Sequence, residues 1–338
     1  GLPLEERRAA EDFRLLLGLI SGAQDGPGRR ALFQLLATGE DPAKQRIALR
    51  ILARASAMGP AATEFREQLD ELTRAGRAEH PILEDLWLFR AQVALGENDY
   101  ARAEADAKSL LDRFPGSPLR AHALGVLTSA AWEQRRYRLA ADFAGKARQA
   151  LPEGPARAQL GVLVAEAWFR AGDDYRSAAD AYAAVLDAPP PGVAPGLLMF
   201  QRVLAEIEAG RLQEAQPLLD ELGRRPGFDA ENRWQAEWNL ARAMQIAGQT
   251  EAAYARVNRL LAGAGAGAAL PADLRARMAW LRAMLSFDAG QHAETVRLLD
   301  ELGDSLEGAS PELRTEIASS GLWLRARAEF ALDQAPVA

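Results

Sequence analysis

The stretch that decides the fold runs from Trp87 to Pro115 and has the sequence WLFRAQVALGENDYARAEADAKSLLDRFP. Its first part, Leu86 to Ala94, is rich in leucine and alanine, which favours a helix. A polar turn follows at Gly96 to Asp99. A second helix is predicted from Tyr100 onward, and Phe114-Pro115 ends it because proline cannot continue a helix. Two short helices joined by a tight turn make a helical hairpin, and the pattern returns along most of the chain.

The repeat is clearest where each second helix begins, because a small residue lies three positions after the opening residue. The pairs are Tyr100/Ala103, Tyr137/Ala140, Tyr175/Ala178, Leu212/Ala215, Thr250/Ala253 and His292/Thr295. Successive opening residues are 37, 38, 37, 38 and 42 positions apart, which is typical of a stacked array of helix pairs. A second small or short residue stands about 12 positions upstream in each first helix: Ala91, Thr128, Ala165, Val203, Ala241 and Ala283. Because large side chains would clash where two helices cross closely, we expect these small residues at the crossings.

Several of these positions recur together in a pattern that resembles the tetratricopeptide repeat (TPR) family. The clearest copy is Leu124, Leu127, Thr128, Ala131, Tyr137, Ala140, Ala147 and Pro152, and another is Trp234, Leu240, Ala241, Met244, Gly248 and Ala253. The resemblance implies an all-α fold, a right-handed α-α superhelix (a TPR-like solenoid) of antiparallel helix pairs, in a bacterial helical repeat protein. The period is longer than the roughly 34 residues usual in the family, and the turn at 172–175 has one residue more than usual.

The predicted organisation has three parts. Residues 1–80 form N-terminal helical hairpins packed on the array, 82–302 form about six TPR-like repeats, and 309–333 form a C-terminal capping helix or a truncated further repeat. Pro217 lies inside a second helix, where we expect it to delay or kink the helix. Residues 189–195 and 263–271 are predicted to be longer joints.

Composition excludes several classes of function. The net charge is −7, and the acidic excess lies in residues 81–338, which argues against the basic stripe of a nucleic-acid-binding protein. The chain has no cysteine, so disulfides and thiolate metal sites are excluded, and no apolar run is long enough for a membrane-spanning helix. The absence of cysteine, together with a chain that begins at Gly1 instead of Met, leads us to expect an exported or periplasmic location over a cytoplasmic one.

Three candidate chemistries are weak. The glycines of Gly263–Gly267 follow a predicted helix, whereas a nucleotide-binding loop needs a preceding strand, so a linker is favoured. Asp173-Asp174 lacks the further acidic residue of an aspartate-rich metal motif and is typical of a turn. For His122 and His292 we identify no nucleophile or carboxylate that would act with them in acid-base chemistry. We therefore predict no catalytic residue, no metal and no cofactor.

The resemblance further implies that first helices line an inner groove. The predicted groove residues are Trp132, Glu166, Phe169, Arg170, Phe200, Trp238, Arg242, Trp280, Met284 and Phe287. Exposed aromatic patches rimmed by polar residues mark interaction sites; the alternative is that these rings are core between repeats. The groove positions Gly125, Val126, Ser129, Val162, Leu163 and Glu166 lack the Lys, Asn and Arg set of TPR domains that clamp a C-terminal carboxylate.

These observations predict a non-catalytic scaffold that binds a peptide or a partner helix in its concave groove. One alternative is a structural spacer of a larger exported or envelope protein with no groove ligand. The other is an enzyme on an all-α toroid, which would need paired carboxylates at one mouth.

Overall fold

A computed structural model describes residues 3–21, 26–56, 60–74, 80–225, 228–263 and 271–333. These residues form helices and no strand, and the chain divides into two compact units, Gly1–Ala171 and Gly172–Ala338. Unit 1 holds α1 Leu4–Ser21, α2 Gly26–Thr38, α3 Pro42–Ala55, α4 Pro60–Thr73, α5 Leu83–Gly96, α6 Tyr100–Arg113, α7 Arg120–Glu133, α8 Tyr137–Ala150 and α9 Pro155–Ala171. Unit 2 holds α10 Tyr175–Leu186, α11 Pro195–Glu208, α12 Leu212–Arg224, α13 Ala230–Ile246, α14 Thr250–Gly263, α15 Ala272–Asp288, α16 His292–Asp300, α17 Leu302–Ser305 and α18 Pro311–Asp333. The all-α fold of consecutive helix pairs predicted from the sequence is confirmed.

The predicted opening residues are the first residues of their helices. Helices α6, α8, α10, α12, α14 and α16 begin at Tyr100, Tyr137, Tyr175, Leu212, Thr250 and His292. Asp99 and Asp174 stand just before two of these starts and accept hydrogen bonds from the backbone N–H groups of Arg102 and Ser177. Such side-chain acceptors satisfy donors that the first helical turn leaves unpaired.

A left-handed residue turns the chain between the helices of each repeat. These residues are Asn98, Arg135, Gly172, Gly210, Gly248 and Gly290, with φ between 56° and 78°. In five of the turns, the next residue donates its backbone N–H to a carbonyl five positions earlier; for example, the N–H of Arg136 lies 2.8 Å from the carbonyl of Ala131. This bond satisfies a carbonyl at the end of the first helix and fixes the reversal of direction. At 172–175 the left-handed glycine precedes the opening residue by three positions instead of two, which is the extra residue seen in the sequence.

The small residues of the repeat are in the core. All twelve of the paired small residues are buried, and none exceeds 2% exposure. Val203 and Ala215 belong to one hydrophobic core, as do Ala241 and Ala253 in the same unit, and Ala91 and Ala103 share a core in unit 1. In the last pair, Ala283 and Thr295, a threonine replaces the alanine of the second helix, and its hydroxyl lies 2.8 Å from that of Ser286 on α15. Small side chains therefore allow the two helices of a hairpin to approach closely.

The structure differs from the sequence-based expectations in a few details. Helix α12 starts at Leu212 and continues through Pro217, so the proline does not delay it. The Ser117-Pro118 sequence favours a helix start, because serine caps helices and proline suits the first helical turn. Helix α7 nevertheless begins two residues after Pro118, at Arg120. The glycine-rich segment 263–271 lies mostly outside the described residues. The division at residues 80–82 and 302–309 stays a prediction.

Among the described helices, none combines the length and the apolar character needed to cross a membrane.

Candidate functional site

Three helices of unit 2 enclose a cleft. Helix α13 packs against α15, and α15 packs against α18. The cleft between them has a volume of about 460 Å³. Its lining includes four of the predicted groove residues, Trp238, Arg242, Trp280 and Met284. The structure thus brings these four side chains together on one surface.

A second lobe of about 420 Å³ continues the first toward the middle of α18. Trp280, Met284 and Ser320 line both lobes, and the second lobe adds Trp323 from α18. We call the two lobes together the tryptophan cleft. Trp238 and Trp280 are half-buried, whereas Trp323 is 61% exposed. The cleft therefore presents aromatic surface from three neighbouring helices.

Trp323 is not among the groove residues predicted from the sequence, which left α18 as either a capping helix or a truncated further repeat. A sequence signal was nevertheless present, since each of the three tryptophans is followed three positions later by alanine: Trp238/Ala241, Trp280/Ala283 and Trp323/Ala326. The tryptophans are 42 and 43 positions apart, as expected for equivalent positions of successive repeats. Leu313, Glu316 and Ile317 of α18 also line the cleft, but nothing in the sequence marked them.

Charged groups rim the apolar lining. Arg242 donates to the side chain of Gln245 at 2.8 Å, and Gln245 in turn donates to Asp288, so both are held in place. Arg277 is exposed and forms no hydrogen bond or ion pair with any described residue. Glu316 supplies the one carboxylate among the residues that line the larger lobe. The rim therefore carries two guanidinium groups against one carboxylate.

A clasp at one end of the cleft holds α18 to α15. Asp273, near the start of α15, accepts hydrogen bonds from the backbone N–H of Ser310 at 2.7 Å and from its hydroxyl at 3.0 Å. These two bonds lower the pKa of Asp273 below its usual value, and the nearby Arg277 guanidinium adds to the effect. Arg275 also donates to the carbonyl of Glu307 at 2.6 Å. The clasp fixes the start of α18, which forms one wall of the cleft.

The predicted groove residues of unit 1 form a separate group. Arg170 bonds Glu166 at 2.8 Å, and its guanidinium lies 4.9 Å from the centre of the Trp132 ring. Trp132 packs edge-to-face on Tyr137 with ring centres 5.3 Å apart. The hydrogen bond to Glu166 is the main reason that the pKa of Arg170 is raised. Phe169, on the same helix α9, is half-buried. These side chains already satisfy one another, which distinguishes them from the open lining of the tryptophan cleft.

The other two predicted groove residues contribute to packing in unit 2. Phe200 is only 6% exposed and packs on Phe228 with ring centres 6.0 Å apart, so it belongs to the core. Phe287 lies beneath the guanidinium of Arg327 at 4.7 Å and beside the ring of His292 at 5.1 Å. For Phe200, the alternative that the rings are core describes the structure better than a groove position does.

The residues considered for metal binding or acid-base catalysis have structural or exposed positions in the described chain. Asp174 caps α10 and accepts from both the backbone N–H and the hydroxyl of Ser177, at 3.0 and 2.6 Å. His122 is exposed, and His292 is the half-buried first residue of α16. Within the described ranges, no three His, Asp or Glu side chains lie close enough together to hold a metal ion.

Comparisons with known proteins give structural matches only. No family model matches the chain, and no curated protein matches it. A tetratricopeptide repeat protein from Parabacteroides merdae is 13% identical, with 78% of this chain and 93% of that chain covered and a TM-score of 0.38. The apo form of RapI is 10% identical, with 99% and 98% covered and a TM-score of 0.43. A Rap protein complexed with competence and sporulation factor is 12% identical, with 97% and 99% covered and a TM-score of 0.34.

The fold assignment rests on the helices of the chain itself. Helix pairs repeat with a period of 37 to 42 residues, a left-handed residue lies in each turn, and small residues are buried in each pair. By these features the chain is an all-α repeat protein with a TPR-like fold.

Proposed function

We propose that this protein is a non-catalytic interaction scaffold that binds a peptide segment of another protein in the tryptophan cleft. The observation that carries the proposal is that Trp238, Trp280 and Trp323, from the helices α13, α15 and α18, line one open cleft. Tryptophan is enriched among residues that dominate binding energy, and arginine is its common companion. Arg242 and Arg277 stand on the rim of the same cleft.

The half-buried state of the tryptophans supports binding over a purely structural role. Trp234, in the core of the same unit, is sealed from solvent at 6% exposure. The exposed part of Trp323 and the open volume beside Trp280 leave apolar surface that a ligand would cover. A cleft of several hundred Å³ with a few polar groups is also the size typical of a binding site.

The test is to select dodecapeptides from a random phage-displayed library on the whole chain and to measure their affinities by fluorescence titration. The Trp238→Ala, Trp280→Ala double variant is expected to lose on the order of tenfold or more in affinity, as for hot-spot residues. Trp323→Ala is expected to lower the affinity for the selected peptides. It should leave the protein folded, because the Trp323 ring is 61% exposed.

Trp168→Ala is the matched control, because Trp168 is half-buried in unit 1, beneath Arg138 at 5.8 Å, and does not line the cleft. Circular dichroism of each variant separates loss of binding from loss of fold. Ligands that bind Trp323→Ala and the double variant as tightly as the parent protein would contradict the proposal. A library that yields no ligand at all would favour the structural-spacer alternative.

A further inference from the structure

We infer that the ligand of the tryptophan cleft is a proline-rich segment in the polyproline II conformation. The inference rests on the proposed function and names the chemistry of the partner. It is carried by the packing of the three helices that bear the tryptophans and by the hydrogen-bonding character of the lining.

The packing of the helices that carry the tryptophans sets the spacing of the rings. Trp238, Trp280 and Trp323 stand on α13, α15 and α18, which pack side by side. Axes of packed helices are about 8–10 Å apart. A ligand that crosses the three helices therefore passes one tryptophan ring about every 8–10 Å. A polyproline II segment rises about 3.1 Å per residue with three residues per turn, so its side chains return to one face every 9.3 Å or so. Every third residue of such a segment would therefore meet a tryptophan.

The same spacing disfavours an extended strand. Side chains on one face of a strand recur about every 6.6 Å, and neither that distance nor twice it matches the spacing of packed helices. Two turns of an α-helix cover about 10.8 Å, so distance alone leaves an α-helical ligand possible. The polar lining distinguishes the two.

The lining is rich in hydrogen-bond donors that have no acceptor within the described part of the chain. The indole N–H groups of Trp238 and Trp280 donate to no described residue, and they are not sealed from solvent. The guanidinium of Arg277 donates no hydrogen bond to a described residue, although its charge acts on nearby Asp273. Against these donors, Glu316 is the one carboxylate of the larger lobe. The cleft therefore complements a ligand whose surface is rich in hydrogen-bond acceptors.

A polyproline II segment is such a ligand. Its backbone makes no internal hydrogen bonds, so every carbonyl is free to accept, and proline has no N–H that would need an acceptor. The backbone carbonyls along an α-helix are already paired within the helix. Proline-rich segments bind aromatic-lined grooves with little loss of conformational entropy, because the segment is preorganised. The donors and the rings of the tryptophan cleft together fit this chemistry.

The experiment compares three synthetic peptides by isothermal titration calorimetry with the whole chain. The first has proline at every third position between polar residues. The second has the same composition with the proline period broken. The third is an alanine-based helical peptide with leucine at positions seven apart. The periodic peptide is expected to bind at least about tenfold tighter than either of the others, and Trp323→Ala is expected to remove this preference.

Equal or tighter binding of the broken-period peptide or the helical peptide would overturn the inference, as would no binding of the periodic peptide. The outcome is separable from that of the proposed function. Library ligands that need Trp280 and Trp323 but contain no proline would leave the scaffold in place and refute the polyproline partner. Ligands that need neither tryptophan would refute both.

Discussion

Asn98 and Arg135 have backbone conformations that L-amino acids adopt at a cost, with φ of 63° and 56°. Both stand in hairpin turns whose other copies in the described chain carry glycine at the equivalent place, such as Gly210 and Gly248. A β-carbon in this region costs about 1–2 kcal/mol, so these two turns are less stable than they could be. The chain keeps the turn through the backbone hydrogen bond that follows it.

Replacing Arg135 with glycine should therefore stabilise unit 1. We expect Arg135→Gly to raise the free energy of unfolding by about 0.5–1 kcal/mol, because relief of the strained φ outweighs the added entropy of the unfolded chain. Arg135→Ala keeps the β-carbon and should change it by less than about 0.5 kcal/mol. Urea unfolding followed by circular dichroism measures both, and a glycine variant less stable than the alanine variant would show that the turn is not strained.

The ion pair between Arg256 and Glu237 is the most deeply buried in the described part of unit 2. Their side chains are 8% and 3% exposed, and Arg256 also bonds Asp220 at 2.8 Å. Burial works against the charge on Arg256, but the bonds to Glu237 and Asp220 outweigh it, so the pKa of Arg256 is raised. The guanidinium therefore stays charged inside the unit.

Removing one partner should leave a buried charge without compensation. Glu237→Ala is expected to lower the free energy of unfolding by about 3–5 kcal/mol, whereas Glu237→Leu combined with Arg256→Met should be close to neutral. Denaturant titration of the single and double variants measures the difference. A single variant as stable as the double one would mean that the pair contributes nothing beyond its packing.

At the scale of elements, the helix pair depends on close approach. Ala215 in α12 is fully buried in the core that also contains Val203 of α11. A larger side chain at the crossing would push the two helices apart. The same argument holds for Ala140 in unit 1.

Ala215→Leu should destabilise the protein by about 1–3 kcal/mol through overpacking. Gln213→Leu places the same side chain on the exposed face of α12 and should cost less than about 0.5 kcal/mol. The comparison is made by thermal unfolding at equal protein concentration. Equal stability of the two variants would indicate that α11 and α12 do not meet closely at Ala215.

The clasp between Asp273 and Ser310 predicts a pH dependence of α18. Because the folded pKa of Asp273 lies below its ordinary value near 3.9, its bonds stabilise the fold above that value and are lost as the pH falls through the lowered pKa. Asp273→Ala should lower the melting temperature at pH 7 and speed proteolysis at residues 306–311, and the difference from the parent protein should shrink in acid. Asp304→Ala, at an exposed residue of α17, is the control. A melting difference that stays the same from pH 7 into acid would contradict this role.

The first residues of the second helices could be predicted from the sequence because their signals are local. A turn residue, an opening residue and a small residue three positions later lie within one short stretch, so the starts at Tyr100 through His292 are confirmed. The starts of first helices were less accurate, as for α7, because the loops before them vary.

At the scale of the whole molecule, the candidate site could be predicted only in part. Trp238, Arg242, Trp280 and Met284 were predicted because they follow the repeat. Phe200 occupies an equivalent place but is covered by Phe228, which comes from the loop before α13 and lies outside the periodic pattern. The wall formed by α18 requires knowledge of which helices meet, and that is set by long-range packing such as the clasp to Asp273.

Hydrogen–deuterium exchange of the whole chain, with and without a library-selected peptide, tests most directly whether the tryptophan cleft is the binding site. The account predicts slower exchange in α13, α15 and α18 when peptide is present, and little change in the helices of unit 1. Protection confined to unit 1, around Trp132 and Arg170, would contradict it.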